Sequence, residues 1–473
     1  MPIVARQRST GRVGSTPLKL LSGRSTTIHS GLKVILQISG DPRNYKDVCF
    51  NLDGEKESSK LSSIALSKIL HGKPLLLIPE SLAITLASSE EEALGMIKDR
   101  QLLFKRVWEE VEKLGEDAER LSLRVLPSVG RFHKHGRSFV FDGEFAHIET
   151  ALFLIMLEFI KEGHELVLDV SSGLNIYGAI AVRVLYNVLT YQKLSNYYVG
   201  ESSSGEPRHS IAFFPQPREE KEEVKVELSE ARTRILNQYP LTVQQIKGIN
   251  KPEEIGLTDT GLKKDLKRIL MTGRRLFNCL AYNTPLPVYY DDIVEFCKPS
   301  YIRELEKRIC DSVSSYIQPE TSYDGCVKVF RKRFDPRLLR DVLNALALTG
   351  SLMKIVEEAR KSMTGGGVKL DDLQEFFVRK VYGSLEWFKP NARRLEFEVE
   401  QIKQAAARIT VKNPMLLKDV FGVHGSSNME RNFIAHSGFL KDVTEIVKVG
   451  DAEVYVKYKL DVVKPSVIKE WLS

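Results

Sequence analysis

Near the C-terminus an arginine, an amide and a histidine fall within six residues, in Glu430-Arg431-Asn432-Phe433-Ile434-Ala435-His436-Ser437-Gly438. The stretch reads as the last turns of a helix, with Gly438 as its stop. Asn432 and His436 are four apart and share one helical face. Arg431 flanks that face about 100° away, from ~3.6 residues per turn. The histidine then sits at the negative end of the helix dipole. A group that gives or takes a proton, beside a fixed cation and an amide, suits phosphodiester cleavage without a metal. The spacing alone is not specific. Arg24 and His29 repeat it in a segment without apolar periodicity, and a surface arginine with a C-capping histidine fits the same residues.

Two further stretches have ligand-binding chemistry. One is Ser39-Gly40-Asp41-Pro42-Arg43-Asn44, after a short apolar run. The other is Val170-Ser171-Ser172-Gly173-Leu174-Asn175, between a buried strand and a helix. Small hydroxyls and a glycine at a helix N-terminus let backbone N–H groups approach a phosphate. Neither loop is GxGxxG or a P-loop, which argues against dinucleotide redox chemistry and NTP hydrolysis. An ordinary strand-to-helix turn with a serine N-cap is the other reading.

The elements that must hold these loops alternate. Lys33–Ile38, Val48–Leu52, Pro74–Pro79, Ser122–Pro127, Glu165–Val170, Asn196–Val199 and Ile211–Phe214 read as strands. Ser59–Leu70, Glu90–Leu114, Phe145–Lys161 and Leu174–Lys193 read as helices. Strands alternating with helices imply a largely parallel, Rossmann-like sheet with helices on both faces. In such sheets ligands sit beyond the C-terminal strand ends, where strand order switches.

Pro215-Gln216-Pro217 and the charged run after it mark a boundary. Glu253 to Arg275 resembles helix-turn-helix material, with a basic face at Lys263, Lys264, Lys267 and Arg268, although a solvated helix face is the commoner origin of such a pattern. Helices are expected over Pro336–Leu348, Leu370–Trp387, Arg394–Ile409 and Met415–Phe421, with Gly365-Gly366-Gly367 as a flexible loop. Val443–Val449 and Glu453–Leu460 predict a β-hairpin around Gly450-Asp451, and a short helix closes the chain.

At 473 residues, two or three domains are expected. The apolar fraction, 42%, is ordinary for a soluble globular protein. The formal charge is +7, but Arg6, Arg8, Arg12, Lys19 and Arg24 lie in the first thirty residues without an acid. The rest of the chain is therefore close to neutral, which is no argument for a nucleic-acid-coating body. Five cysteines without a CxxC pair or a Cys/His cluster argue against a zinc site and a disulfide framework, and fit a reducing cytosol. No apolar run reaches membrane-spanning length. The first thirty-one residues share features with an organelle transit peptide, but are expected to be a disordered basic tail.

Taken together, the Rossmann-like N-terminal part running into Asp169-Val170-Ser171-Ser172-Gly173-Leu174-Asn175, the helical middle and the Arg431-Asn432-x3-His436 motif resemble the CRISPR-associated CARF–HEPN ribonucleases of type III systems. The opening Gly40-Asp41-Pro42 with Tyr45-Lys46-Asp47-Val48 is similar as well. The resemblance runs from residue 32 to 473. It implies a Rossmann-like CARF ligand-sensing domain at 32–217, a helical winged-helix-like middle domain at 218–334, and a helical HEPN ribonuclease domain with a β-hairpin insertion at 335–473. It implies that Ser39, Gly40, Asp41, Pro42, Arg43, Asn44, Ser171, Ser172, Gly173 and Asn175 bind a cyclic oligoadenylate, expected to be cyclic tetra-adenylate, across a two-fold axis.

It also implies that Arg431, Asn432 and His436 cut single-stranded RNA. A ribose 2′-OH would attack the adjacent phosphate, leaving a 2′,3′-cyclic phosphate with no metal or other cofactor required. A homodimer or larger homo-oligomer, a cytoplasmic location and no membrane partner are expected. Two other readings stay open: a ligand-responsive helix-turn-helix transcription regulator, and a free-standing HEPN nuclease whose N-terminal domain has no task.

Overall fold

The computed structural model describes residues 31–116, 118–171, 175–198, 208–234, 238–250, 252–257, 259–365, 367–409, 413–423, 428–450 and 453–473. The expected tail at 1–30 and the Ser172, Gly173 and Leu174 positions lie outside the described residues.

The N-terminal part is built on a six-stranded sheet. Its strands, from one edge to the other, are Glu227–Glu230, Ser210–Phe213, Glu165–Asp169, Lys33–Ile38, Lys73–Pro79 and Ser122–Leu126. All pairs are parallel except the edge pair of Glu227–Glu230 with Ser210–Phe213. Residues of the first strand alternate between two cores, as strand periodicity requires. Val34, Leu36 and Ile38 pack with helices Phe145–Lys161 and Asn175–Ser195. Ile35 faces the other way, toward Ala65 and Leu66 of helix Ser62–Ile69. Burial on both faces explains the near-continuous apolar runs.

The chain goes from Lys33–Ile38 to neighbours on one side first, then crosses to Glu165–Asp169 on the other. The strand order therefore switches between these two strands, and their C-terminal ends are where sheets of this kind bind ligands.

Several expectations are revised. Glu90–Leu114 is two helices, Glu90–Lys98 and Arg100–Lys113. Asp99 breaks them, because its carboxylate caps the second helix by accepting from the Gln101 N–H at 2.9 Å. Residues 196–198 form no strand; the Tyr198 N–H instead donates to Ser351 Oγ of helix Pro336–Ala359 at 2.8 Å. Leu370–Trp387 is not one α-helix: Gln374–Val381 widens into a π-helix and Glu386–Phe388 tightens to 3₁₀.

One hairpin was half read, its first strand and the Asp53-Gly54 turn but not its second strand, and another went unread. Val48–Leu52 and Glu55–Ser59 are joined at Asp53-Gly54, and Gly130–Lys134 and Arg137–Asp142 at His135-Gly136. All four turn residues have positive φ, the requirement of a type I′ turn.

The middle part contains helices Val243–Gly248, Pro252–Ile255 and Thr260–Ala281, then the hairpin Glu320–Tyr323 and Val327–Phe330. That hairpin is not free. Val327–Phe330 pairs in parallel with Arg137–Asp142, so one four-stranded sheet spans the N-terminal and middle parts. A single apolar core also runs from the parallel sheet through helix Asn175–Ser195 into helices Thr260–Ala281 and Pro336–Ala359.

The C-terminal part adds helix Lys389–Ala407, the short helix Met429–Ala435, the hairpin Thr444–Val449 with Glu453–Tyr458, and helix Pro465–Trp471. The architecture is thus α/β at the N-terminus and mostly helical in the middle and C-terminal parts. All five cysteines are free thiols. Among the described residues no helix is long and apolar enough to cross a membrane.

Candidate active site

Helix Met429–Ala435 is only seven residues long, and its surroundings make it a rigid carrier. Asn428 caps its start, accepting from the Arg431 N–H at 3.0 Å. At the other end Ser437 and Gly438 both have positive φ, and the Gly438 N–H returns to the Phe433 carbonyl at 2.8 Å. This is the i to i−5 closure that commonly ends a helix at a left-handed residue. Two exposed carbonyls of the last turn, Ile434 and Ala435, accept from the Arg394 guanidinium at 3.2 and 2.7 Å.

The turn after His436 is buried. Ser437 Oγ accepts from Asn283 Nδ2 at 2.8 Å, and the Gly438 carbonyl accepts from the Tyr458 hydroxyl at 2.8 Å. A Cβ on Gly438 would meet Thr284 Cβ at 3.2 Å. Glycine is therefore needed both for its φ and for the close approach. Underneath, Phe433 is fully buried, with its ring 5.3 Å from that of Trp471. The middle helix, the hairpin and the last helix together fix one short segment.

The candidate side chains project from this segment. Arg431 is exposed, and Asn432 and His436 are half-buried. His436 is the C-cap residue, outside the helical region of φ and ψ, although its N–H still bonds the Asn432 carbonyl at 3.0 Å. Its side chain keeps 35% exposure, and Nδ1 lies 3.4 Å from Glu398 Oε1. The arrangement offers a proton-transfer ring open to solvent on one side, with a cation on the preceding turn. Glu398 and Arg394 escaped the sequence reading. They lie one turn apart on helix Lys389–Ala407, so both can address the same neighbour.

The second candidate site lies at the C-terminal ends of the adjacent strands Lys33–Ile38 and Glu165–Asp169. Ser39 is buried; its hydroxyl reaches the Gly40 carbonyl at 3.0 Å and the Tyr45 hydroxyl at 3.3 Å. The Tyr45 oxygen accepts from the Gly40 N–H at 2.9 Å, and burial pushes the Tyr45 phenol above its ordinary pKa. Asp41 and Arg43 are locked together through Arg43 Nε and a terminal nitrogen, at 2.9 and 2.6 Å, and Arg43 also reaches the Thr85 carbonyl. The hydrogen bond from Arg43 holds the Asp41 carboxyl below its usual range. Pro42 is buried, Gly40 is half-buried and Asn44 is exposed.

On the facing loop, Asp169 is fully buried and takes the Ser62 hydroxyl at 2.5 Å and the Ser171 N–H at 2.7 Å. Ser171 Oγ accepts from the Phe214 N–H. Asn175 opens helix Asn175–Ser195. Tyr45 and Asp169 tie these loops together, and the sequence reading did not single them out.

The basic face of helix Thr260–Ala281 is largely engaged within the protein. Lys263 donates to the Asn250 carbonyl, Lys267 to the Lys247 carbonyl and Asn250 Oδ1, and Arg268 pairs with Asp265 and Glu295. Among the described residues no group of three His, Cys, Asp or Glu side chains could hold a metal ion.

Comparison with known proteins adds two matches. The family model of the CARF domain of CRISPR system endoribonuclease Csx1 matches residues 34–203, and that of its HEPN domain matches residues 388–460. The first holds both strand-end loops; the second holds Arg394, Glu398 and the Arg431–His436 segment. No curated protein matches the chain.

Proposed function

We propose that this chain, which belongs to the CRISPR-associated CARF–HEPN endoribonucleases, is a cyclic-oligoadenylate-activated enzyme that cuts single-stranded RNA without a metal. The family assignment makes it a ligand-responsive ribonuclease. The finer reading rests on one observation: the half-exposed His436 ring is held beside Glu398, one helical turn from the exposed Arg431.

In this reading a ribose 2′-OH attacks the neighbouring phosphate, and His436 handles the proton transferred in that step. Arg431 stabilises the charge developing on the phosphoryl oxygens, and Asn432 orients the strand. The bond to the 5′-oxygen breaks, leaving a 2′,3′-cyclic phosphate. Residues 32–217 serve as the sensor, 218–334 as the connector and 335–473 as the nuclease.

The activator is cyclic tetra-adenylate, bound by the Ser39–Asn44 and Ser171–Asn175 loops of two protomers, since a symmetric ligand suits a two-fold interface. Asp41 and Arg43 then act mainly by fixing their loop, and backbone N–H groups with Asn44 face the ligand. Ligand binding raises activity by favouring one arrangement of the dimer.

The test is cleavage of a labelled RNA strand in excess chelator, with and without cyclic tetra-adenylate. Stimulated cleavage ending in a cyclic phosphate is expected. An absolute requirement for a divalent ion, or indifference to the ligand, refutes the reading.

A further inference from the structure

We infer that Glu398 is the positioning residue for His436: its carboxylate accepts a hydrogen bond from Nδ1–H and leaves Nε2 as the ring nitrogen that works on RNA. The inference deepens the ribonuclease reading and rests on it.

The geometry carries the assignment. Glu398 Oε1 lies 3.4 Å from His436 Nδ1, with the carboxylate side chain only 15% exposed and the ring 35% exposed. Among the described residues His436 is the hydrogen-bond partner of Glu398. A carboxylate so nearly buried is costly unless a donor faces it. An imidazole whose Nδ1–H is held by an acceptor is fixed in one tautomer and one orientation.

Glu398 comes with a second constraint from the same helix. Arg394, one turn earlier, binds the Ile434 and Ala435 carbonyls, the two residues immediately before His436. Arg394 thus holds the backbone that carries the ring, and Glu398 holds the ring. Buried Leu395, Val399 and Ile402 anchor this helix, so the two polar residues are presented from a rigid support. The arrangement follows the logic by which a buried carboxylate orients a general-base histidine in hydrolases, here reached on a helical fold.

The experiment uses full-length protein labelled with ¹⁵N-histidine, with the His436 ring signals assigned by their loss in His436→Ala. Glu398→Gln is close to isosteric, and Glu398→Leu removes every acceptor. In the wild type the neutral ring is expected to carry its proton on Nδ1. In Glu398→Leu the proton moves to Nε2 in a substantial fraction.

In parallel, RNA cleavage with cyclic tetra-adenylate is expected to lose about 10²-fold in kcat, with KM changed less than about twofold. Glu398→Gln is expected to fall between. A His436 ring that keeps its Nδ1 proton in Glu398→Leu overturns the inference, whatever the rate does. A tautomer that moves while kcat stays put overturns instead the assignment of His436 as the proton-transfer group.

Discussion

Arg331, from the end of the hairpin in the middle part, donates to Glu80 at the C-terminal end of strand Lys73–Pro79. Both side chains are almost fully buried. Arg331 also donates through Nε to the Ile317 carbonyl at 2.8 Å, and Arg100 reaches the other oxygen of Glu80 at 3.3 Å. One carboxylate thus serves two buried guanidinium groups and ties the C-terminal edge of the parallel sheet to the segment leading into helix Pro336–Ala359. The shared sheet of Arg137–Asp142 and Val327–Phe330 lies alongside. The parallel sheet is therefore joined to helix Pro336–Ala359 by packed, charge-paired contacts rather than by a loose tether.

This triad makes an asymmetric prediction. Glu80→Gln leaves two buried cations without a counter-charge, and is expected to cost about 3–5 kcal/mol. Arg331→Met leaves Glu80 still paired with Arg100 and fills the space with apolar atoms, so its cost is expected to be clearly smaller. Urea unfolding of both variants checks the order; an equal or reversed ranking would show that the charge balance is not what holds this junction.

Gly273 gives a prediction about packing. A Cβ there would collide with Thr349 Oγ1 and stand 2.7 Å from Thr349 Cγ2. Thr349 cannot easily move, because its hydroxyl bonds the Ala345 carbonyl at 2.7 Å and the Tyr239 hydroxyl at 2.9 Å. Helices Thr260–Ala281 and Pro336–Ala359 would have to separate. Gly273→Ala gains helix propensity of about 1 kcal/mol, yet overpacking typically costs about 1–3 kcal/mol. A net loss of stability is expected in chemical unfolding; an unchanged or raised stability would show that the two helices part there at little cost.

What the sequence made legible was local. The strand Lys33–Ile38 and the helix Phe145–Lys161 appear where their apolar patterns place them. The Arg431-Asn432-x3-His436 spacing led to a real helix end, although His436 lies one residue past it. Asp99 carried an N-cap signal that the continuous amphipathic pattern on either side obscured. The hairpin at His135-Gly136 was hidden because its strands mix Arg, His and Lys with phenylalanine.

Other features had no local signature. Glu398 contacts His436 from a distant helix, and as one acid among several on a charged helix it looked like a solvated position. The parallel pairing of Val327–Phe330 with Arg137–Asp142 joins segments far apart in the chain, and only the tertiary arrangement reveals it. The mutual lock of Asp41 and Arg43 likewise depends on the turn that brings them together.

His209 makes stability depend on pH. It is buried, its Nδ1 accepts from the Leu166 N–H at 3.0 Å, and its Nε2 lies 3.1 Å from Gln192 Oε1. Burial pushes it down to about 4, against about 6.5 in an unfolded chain. The unfolded state binds the proton more readily, so stability is full above about pH 6.5 and falls as pH drops toward 4. Between pH 7.5 and 4.5 this site alone is expected to remove about 2 kcal/mol. His209→Gln, whose amide oxygen can still accept from Leu166, should lose that much less over the same interval. Parallel pH slopes for the two proteins would remove His209 from the account.

The last prediction concerns the chemistry at the helix end. His436→Ala removes the ring that is proposed to transfer a proton, and is expected to lower the cleavage rate by about 10²–10⁴-fold. Arg431 is exposed, so Arg431→Ala should leave stability within about 0.5 kcal/mol while costing activity on a similar scale. Arg431→Lys keeps the charge but not the planar fork that matches a phosphate, and only partial rescue is expected. The contrast with Gly438→Ala is informative. That change touches no substrate, but strains a left-handed position packed against Thr284 and Tyr458, and should lower stability and activity together. Rates on labelled RNA, set beside unfolding free energies for the four variants, separate the two kinds of loss. If Arg431→Ala loses activity only in proportion to lost stability, the arginine is a surface residue and the nuclease centre lies elsewhere.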